Sequence, residues 1–164
     1  MAMVIYPEAI HNKRNGTYHE ISEDLVKTGT GYVTTEDTKL ESNFPEKVKT
    51  DKPMYYEYKG HKLEFTNLTA TDGKNIYESN QSTSSENKDN KITYKEIYPN
   101  IDLRHITLNN EVKEDWIIKK YNGIHQFNYI INTDLYGEVL SDGSVGFYEN
   151  KLKEKLVLHY QPHQ

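Results

Sequence analysis

The chain has 164 residues, a mass of 19.2 kDa and a formal net charge of −5, which suits one ordinary domain and leaves little material for two. Charged residues make up 27% and hydrophobic ones 35%, with a mean hydropathy of −0.89, and no apolar run approaches the roughly 20 residues that a membrane-spanning helix needs. The lack of cysteine excludes disulfides, thiolate zinc sites and cysteine nucleophiles, while two arginines without a clustered basic run argue against nucleic acid as a partner.

Fourteen tyrosines and fifteen asparagines stand against three alanines, a balance that suits strands and turns rather than helices. The opening Met-Ala-Met-Val-Ile-Tyr-Pro has neither a charged n-region nor an apolar h-region, so no signal peptide is expected there. Residues 4–10 and 17–26 read as strands joined by a hairpin at Lys13-Arg14-Asn15-Gly16. Residues 37–53 are polar and suggest a turn or an irregular edge. The stretches 54–58 (MYYEY) and 62–66 (KLEFT) are two further strands, linked through Lys59-Gly60-His61.

Residues 78–90, ESNQSTSSENKDN, contain no apolar side chain and read as a surface loop. A domain boundary there would leave pieces of 77 and 74 residues, each small for an independent sandwich, so one domain over 1–164 is expected. Residues 101–108 and 111–119 form the clearest hairpin, with Asn109-Asn110 tolerating the positive φ of a type I′ turn. A two-residue turn there pairs position i with 219 − i, so Arg104 faces Asp115 and His105 faces Glu114. Val112, Glu114, Trp116 and Ile118 share one face of the second strand, and Trp116 is expected between two sheets.

Phe127, Tyr129 and Ile131 alternate in the next strand, and Ser141-Asp142-Gly143-Ser144 turns into another with Val145 and Phe147 inward. The closing residues 151–164 hold His159 and His163, whose spacing does not suit a shared metal on a strand, so both are expected in an exposed tail. Ten or eleven short strands with little helix specify an all-β fold, an antiparallel β-sandwich.

Two constellations could carry chemistry. Glu114 lies on an apolar strand face and could form a glycosidase pair with Asp102. The plainer reading is a partly buried Glu114 paired with Arg104 or Lys113, or capping backbone groups at a sheet edge, with the hairpin register setting Glu114 against His105 and Asp115 against Arg104, and Asp102 accepting backbone N–H groups in a turn. Separately, Tyr55, Tyr56, Tyr58, Tyr98 and Tyr121 could form an aromatic platform for sugars, or pack at the rim of the core. Nucleophile-elbow, zinc-protease, P-loop and dinucleotide motifs are missing, so an enzyme, a metal and a cofactor are not expected.

The segment from Lys91 to Tyr148 carries a recognisable pattern: Tyr94, Tyr98, Pro99, Asp102 and Leu103, then Val112, Lys113, Glu114, Ile117 and Ile118, then Asp142, Gly143, Ser144 and Phe147. It resembles a module that precedes the repeats of bacterial secreted wall-associated proteins with RHS/YD repeats. Tyr6-Pro7, Tyr18-His19-Glu20-Ile21 and Glu57-Tyr58-Lys59-Gly60 extend the likeness over residues 4–148. The resemblance implies an extracellular or cell-wall setting of the polymorphic-toxin type, and no catalytic residues to carry over. It implies, as partners, a wall or surface glycan or other domains of a larger parent. The leading expectation is therefore a non-catalytic structural or interaction module, with a carbohydrate-binding module and a glycosidase-like hydrolase as the alternatives.

Overall fold

The computed structural model describes residues 2–7 and 22–163, and its regular structure consists of strands alone. In chain order these are β1 (Ala2–Pro7), β2 (Leu25–Lys27), β3 (Tyr32–Thr35), β4 (Glu41–Pro45), β5 (Met54–Tyr58), β6 (His61–Thr71), β7 (Ile76–Glu78) and β8 (Ser85–Lys88). They continue with β9 (Lys91–Tyr98), β10 (Ile101–Thr107), β11 (Val112–Ile118), β12 (Gln126–Thr133), β13 (Tyr136–Val139), β14 (Val145–Tyr148) and β15 (Leu156–His163). The first sheet runs β13-β14-β15-β1-β11-β10-β9-β8, the second β12-β6-β5-β4-β3-β2 with β7 beside the far half of β6. Every pairing is antiparallel, and the fold is the expected sandwich. Fifteen strands replace ten or eleven because β2, β7, β8 and β13 are pieces of three or four residues, too short to show a period in the sequence.

The two sheets share one core. Ile92, Leu103, Val112 and Leu158 of the first sheet meet Phe44, Tyr56, Leu63 and Phe65 of the second, all nearly or fully buried. Trp116 lies between the sheets with its ring stacked on Phe127 at 4.0 Å and 3°. Ile118 ends the same strand at 41% exposure, beyond the covered part of the face.

The β10–β11 register pairs Arg104 with Asp115 and His105 with Glu114, each pair summing to 219. Leu108 N–H donates to the Glu111 carbonyl at 2.9 Å across the two-residue turn. The turn is not type I′, since positive φ occurs at neither Asn109 nor Asn110. Contacts from distant segments hold it instead: Lys39 N–H donates to Asn109 Oδ1 at 3.0 Å, Leu40 N–H to the Asn109 carbonyl at 3.1 Å, and Asn109 N–H to a Glu23 carboxylate oxygen at 2.6 Å. The type I′ signature appears elsewhere, at Lys59 (φ 48°) and Gly60 (φ 80°) between β5 and β6.

Three other expectations change. The proposed hairpin at 13–16 lies outside the described residues, and β1 pairs with β11 and β15 while β2 belongs to the other sheet. Within the polar stretch 78–90, residues 85–88 form β8, pairing with β9 from Ser85↔Tyr94 to Lys88↔Lys91. An edge strand needs a backbone partner but no apolar face, which is why composition alone reads as loop. Finally, the expected exposed tail contains β15, which lies between β14 and β1 and buries Val157 and Leu158.

Candidate functional site

The strand alternation that buries Trp116 also buries Glu114, two residues away on the same face and 3% exposed. Its carboxylate receives four donors. Trp116 Nε1–H (3.2 Å) and the Tyr160 hydroxyl (3.4 Å) reach Oε1, while His105 Nε2 (3.1 Å) and the Tyr129 hydroxyl (3.0 Å) reach Oε2. These donors come from β10, β11, β12 and β15, so one carboxylate ties both sheets together. Burial, followed by the charge of Glu114, pushes the phenols of Tyr129 and Tyr160 well above the ordinary tyrosine range. They therefore stay protonated and able to donate. The Phe44 ring covers His105 at 4.7 Å, and His105 Nδ1 is buried without a partner. With two donors on each oxygen, the Glu114 carboxylate is engaged in joining the two sheets.

Asp102 cannot join Glu114 in a glycosidase pair. Position 102 faces 117 and position 114 faces 105, an odd step apart, so the two carboxylates point to opposite faces of the sheet. Asp102 works on the outer face. The β9 strand bulges opposite Ile101–Leu103, with Glu96 at φ 52°, and Asp102 Oδ1 accepts the Glu96 N–H at 2.9 Å. Lys119 Nζ lies 3.1 Å from Asp102 and also pairs with Glu96, whose other oxygen takes the Asn100 N–H at 2.9 Å. Pro99 and Asn100 (φ 61°) make the tight turn between β9 and β10. The Tyr-Pro-x-Ile-Asp-Leu pattern of residues 98–103 is thus the chemistry of one turn and one bulge. Beside it, Arg104 Nη2 donates to Asp115 Oδ2 at 2.7 Å on the partly exposed outer face.

The tyrosine platform is not assembled. In β5 the burial alternates, so Tyr56 and Tyr58 point into the core with Met54 while Tyr55 points out. Tyr98 is buried near Trp116 and Phe127 at centroid distances of 6.0 and 6.1 Å. Only Tyr55 and Tyr121 keep exposed surface, Tyr121 72% exposed after β11, and Tyr55 packs edge-on against Tyr32 with Lys62 Nζ 4.3 Å above its ring. The phenol of Tyr32 is pushed up to about 12, by burial first and then by Tyr55.

A polar chain that the sequence does not announce joins β1, β15 and the turn before β14. Tyr6 Oη lies 2.6 Å from His159 Nδ1, His159 Nε2 lies 2.9 Å from Ser144 Oγ, and Ser144 Oγ–H donates to Asp142 Oδ1 at 2.5 Å. The Ser144 hydroxyl, followed by the Ser144 N–H at 3.0 Å, holds the Asp142 carboxyl below its usual range. Because Ser144 spends its proton on Asp142, its oxygen is left to accept from His159 Nε2, with Tyr6 on the other ring nitrogen. The Ser144 proton points to Asp142 and not to His159, the reverse of what an activated serine nucleophile needs. The Asp-x-Ser turn is legible in sequence, whereas His159 and Tyr6 arrive only through the pairing of β15 with β14 and β1.

The structure also gathers what the sequence disperses. Lys27, Lys47, Lys49 and Lys52 line one hollow of about 220 Å³ at the end of the second sheet, so the expectation of no clustered basic face is corrected. Three of these lysines lie within six residues, but an irregular stretch gives no period to mark them as one face.

Among known proteins, a wall-associated protein of Geobacillus stearothermophilus is 36% identical over 147 residues, covering 86% of this chain and 58% of that protein. The tRNA3(Ser)-specific nuclease WapA of Bacillus spizizenii and the tRNA nuclease WapA of Bacillus subtilis are each 31% identical over 153 residues, covering 91% of this chain. The chain spans little more than half of the first relative and only 7% of each nuclease. No family model and no solved structure matches the chain. The likeness to wall-associated proteins expected from the sequence motifs is present. The expectation that the chain stands apart from enzymes is overturned by the two relatives named as tRNA nucleases. No helix among the described residues is long and apolar enough to cross a membrane.

Proposed function

We propose that this chain is an interaction module of a longer bacterial cell-surface protein of the wall-associated, RHS/YD-repeat and polymorphic-toxin type. The observation that carries the reading is the unequal coverage: nearly the whole chain matches one protein of which it is 58% and others of which it is 7%. A unit that recurs in parents of such different length behaves as a transferable module. The partners on this reading are the wall and the other parts of the parent. Cosedimentation of the purified chain with isolated cell walls tests it: a bound fraction that saturates is expected, and a chain that stays in the supernatant at every ionic strength would overturn it.

A second reading, in which the module takes part in handling tRNA, is favoured by the names of the nuclease relatives. Incubating the chain with total tRNA separates the two. Cleavage or a mobility shift supports the tRNA reading, and unchanged tRNA removes it.

A further inference from the structure

The second sheet is interrupted along β6. Its first five residues pair with β5, from Tyr58↔His61 to Met54↔Phe65, and its last three pair with β7, from Thr69↔Glu78 to Thr71↔Ile76. Thr66, Asn67 and Leu68 have no strand on that side, Asn67 sits at φ 53°, and the β12 register shifts opposite them. Inside the gap is a cavity of about 280 Å³ that reaches the core, with Met54, Phe65, Tyr94 and Ile97 among its walls. It adjoins the four-lysine hollow, and Lys49 and Lys52 line both.

The basic half is concentrated beyond what composition predicts. In a chain of net charge −5, four of the eight residues around this hollow are lysines and one is a carboxylate, Glu46. Glu46 lies 3.7 Å from Lys27, while Lys47, Lys49 and Lys52 have no carboxylate partner among the described residues. Lys52 is already placed: its ammonium donates to the Thr30 carbonyl at 3.0 Å and lies 5.7 Å from the Tyr32 ring centroid. Gly31 (φ 89°) makes room for it, since a Cβ at that position would collide with Lys52 Nζ. A carboxylate, Glu78, also lines the apolar half, where it repels an anion and favours the lysine side for a charged head.

We propose that the joined pocket binds an amphipathic anion, its alkyl part in the β5–β7 gap and its phosphate or carboxylate head on Lys49 and Lys52. The apolar half is near the small end of ligand pockets, which matches one chain end better than a polymer. A nucleic acid is a poorer occupant, because neither half of the lining holds an arginine and the rings of the apolar half, Phe65 and Tyr94, are buried and not offered to a base. The inference does not depend on the wall reading.

The test uses the full chain at low salt, with octyl phosphate below its micellar concentration, octanoate, octanol and inorganic phosphate as probes. Binding is read by calorimetry and by amide shifts in nitrogen–proton spectra. Octyl phosphate or octanoate should bind with shifts at Leu68 and Ile97, and the stronger of the two identifies the head group. Octanol and inorganic phosphate should be weaker by about tenfold or more, and Lys49→Gln with Lys52→Gln should lower octyl phosphate affinity by a similar factor, the expected loss of two screened charge contacts. Leu68→Phe, which narrows the gap, should weaken octyl phosphate and leave inorganic phosphate unchanged. The proposal is overturned if octanol binds as well as octyl phosphate, if no probe binds, or if an oligonucleotide binds more tightly than octyl phosphate and is indifferent to Leu68→Phe. Because the lysine variants alter only surface side chains, they keep the test decisive should Leu68→Phe fail to fold.

Discussion

Replacing Glu114 by leucine removes one acceptor and strands the donors that surround it. His105 and Trp116 are 0% and 5% exposed, so neither N–H can turn to water, whereas Tyr129 and Tyr160 are half-buried and have more freedom. A buried donor left without a partner costs about 1–3 kcal/mol, so the two enclosed donors alone predict a loss of about 2–6 kcal/mol. That is a large part of the roughly 5–15 kcal/mol that holds a domain together. Urea unfolding followed by the fluorescence of Trp116, the only tryptophan, reads the loss directly, with the slope unchanged if both end states keep their compactness. The double variant Glu114→Leu with His105→Phe removes donor and acceptor together, and it should recover at least about 1 kcal/mol relative to the sum of the single losses. A Glu114→Leu variant within about 0.5 kcal/mol of the parent chain would refute the reasoning, because it would show that the four hydrogen bonds do not hold the sheets together.

Trp116→Ala should cost about 3–5 kcal/mol, since it empties a site stacked on Phe127 between the sheets, and thermal unfolding by circular dichroism measures it. Arg104→Ala should cost at most about 1 kcal/mol, because its bond to Asp115 is on a partly exposed face, and the loss should shrink in 1 M salt, where the Debye length is about 3 Å. Acid should destabilise the fold below about pH 4. Asp142 is held low by Ser144, and Glu96 by the Lys119 side chain and then the Asn100 N–H, so their contribution is present above the unfolded value and lost as pH falls through the folded one. Glu41, raised by burial and by Glu57, acts in the opposite sense, its share being lost as pH rises through its raised value. Melting temperatures compared at pH 3 and pH 6 should favour pH 6, and Asp142→Asn should narrow the difference.

The local rules that read this chain correctly are those whose physics spans a few residues. Alternation along Val112–Ile118 places Trp116 and Glu114 on the inner face, and a two-residue turn fixes the sum of 219 that sets His105 against Glu114. The same two rules, applied together, already separate Asp102 from Glu114, and alternation within β5 already divides Tyr55 from Tyr56 and Tyr58. What the tertiary structure alone decided involves partners far apart in the chain. The Asn109 turn takes its shape from Glu23, Lys39 and Leu40, not from its own dihedral preference. Residues 85–88 become a strand because β9 and, at Ser85, the Glu46 carbonyl offer backbone partners, a property that composition does not encode. Tyr129 and Tyr160 reach Glu114, Tyr6 and Ser144 reach His159, and Lys27 joins Lys47, Lys49 and Lys52, only because the sheet order brings β12, β15, β1 and β2 beside elements distant in sequence. Side-chain period is a property of one strand, but strand order is settled by the burial of both sheets at once, and the polar clusters around Glu114 and His159 are built across strands.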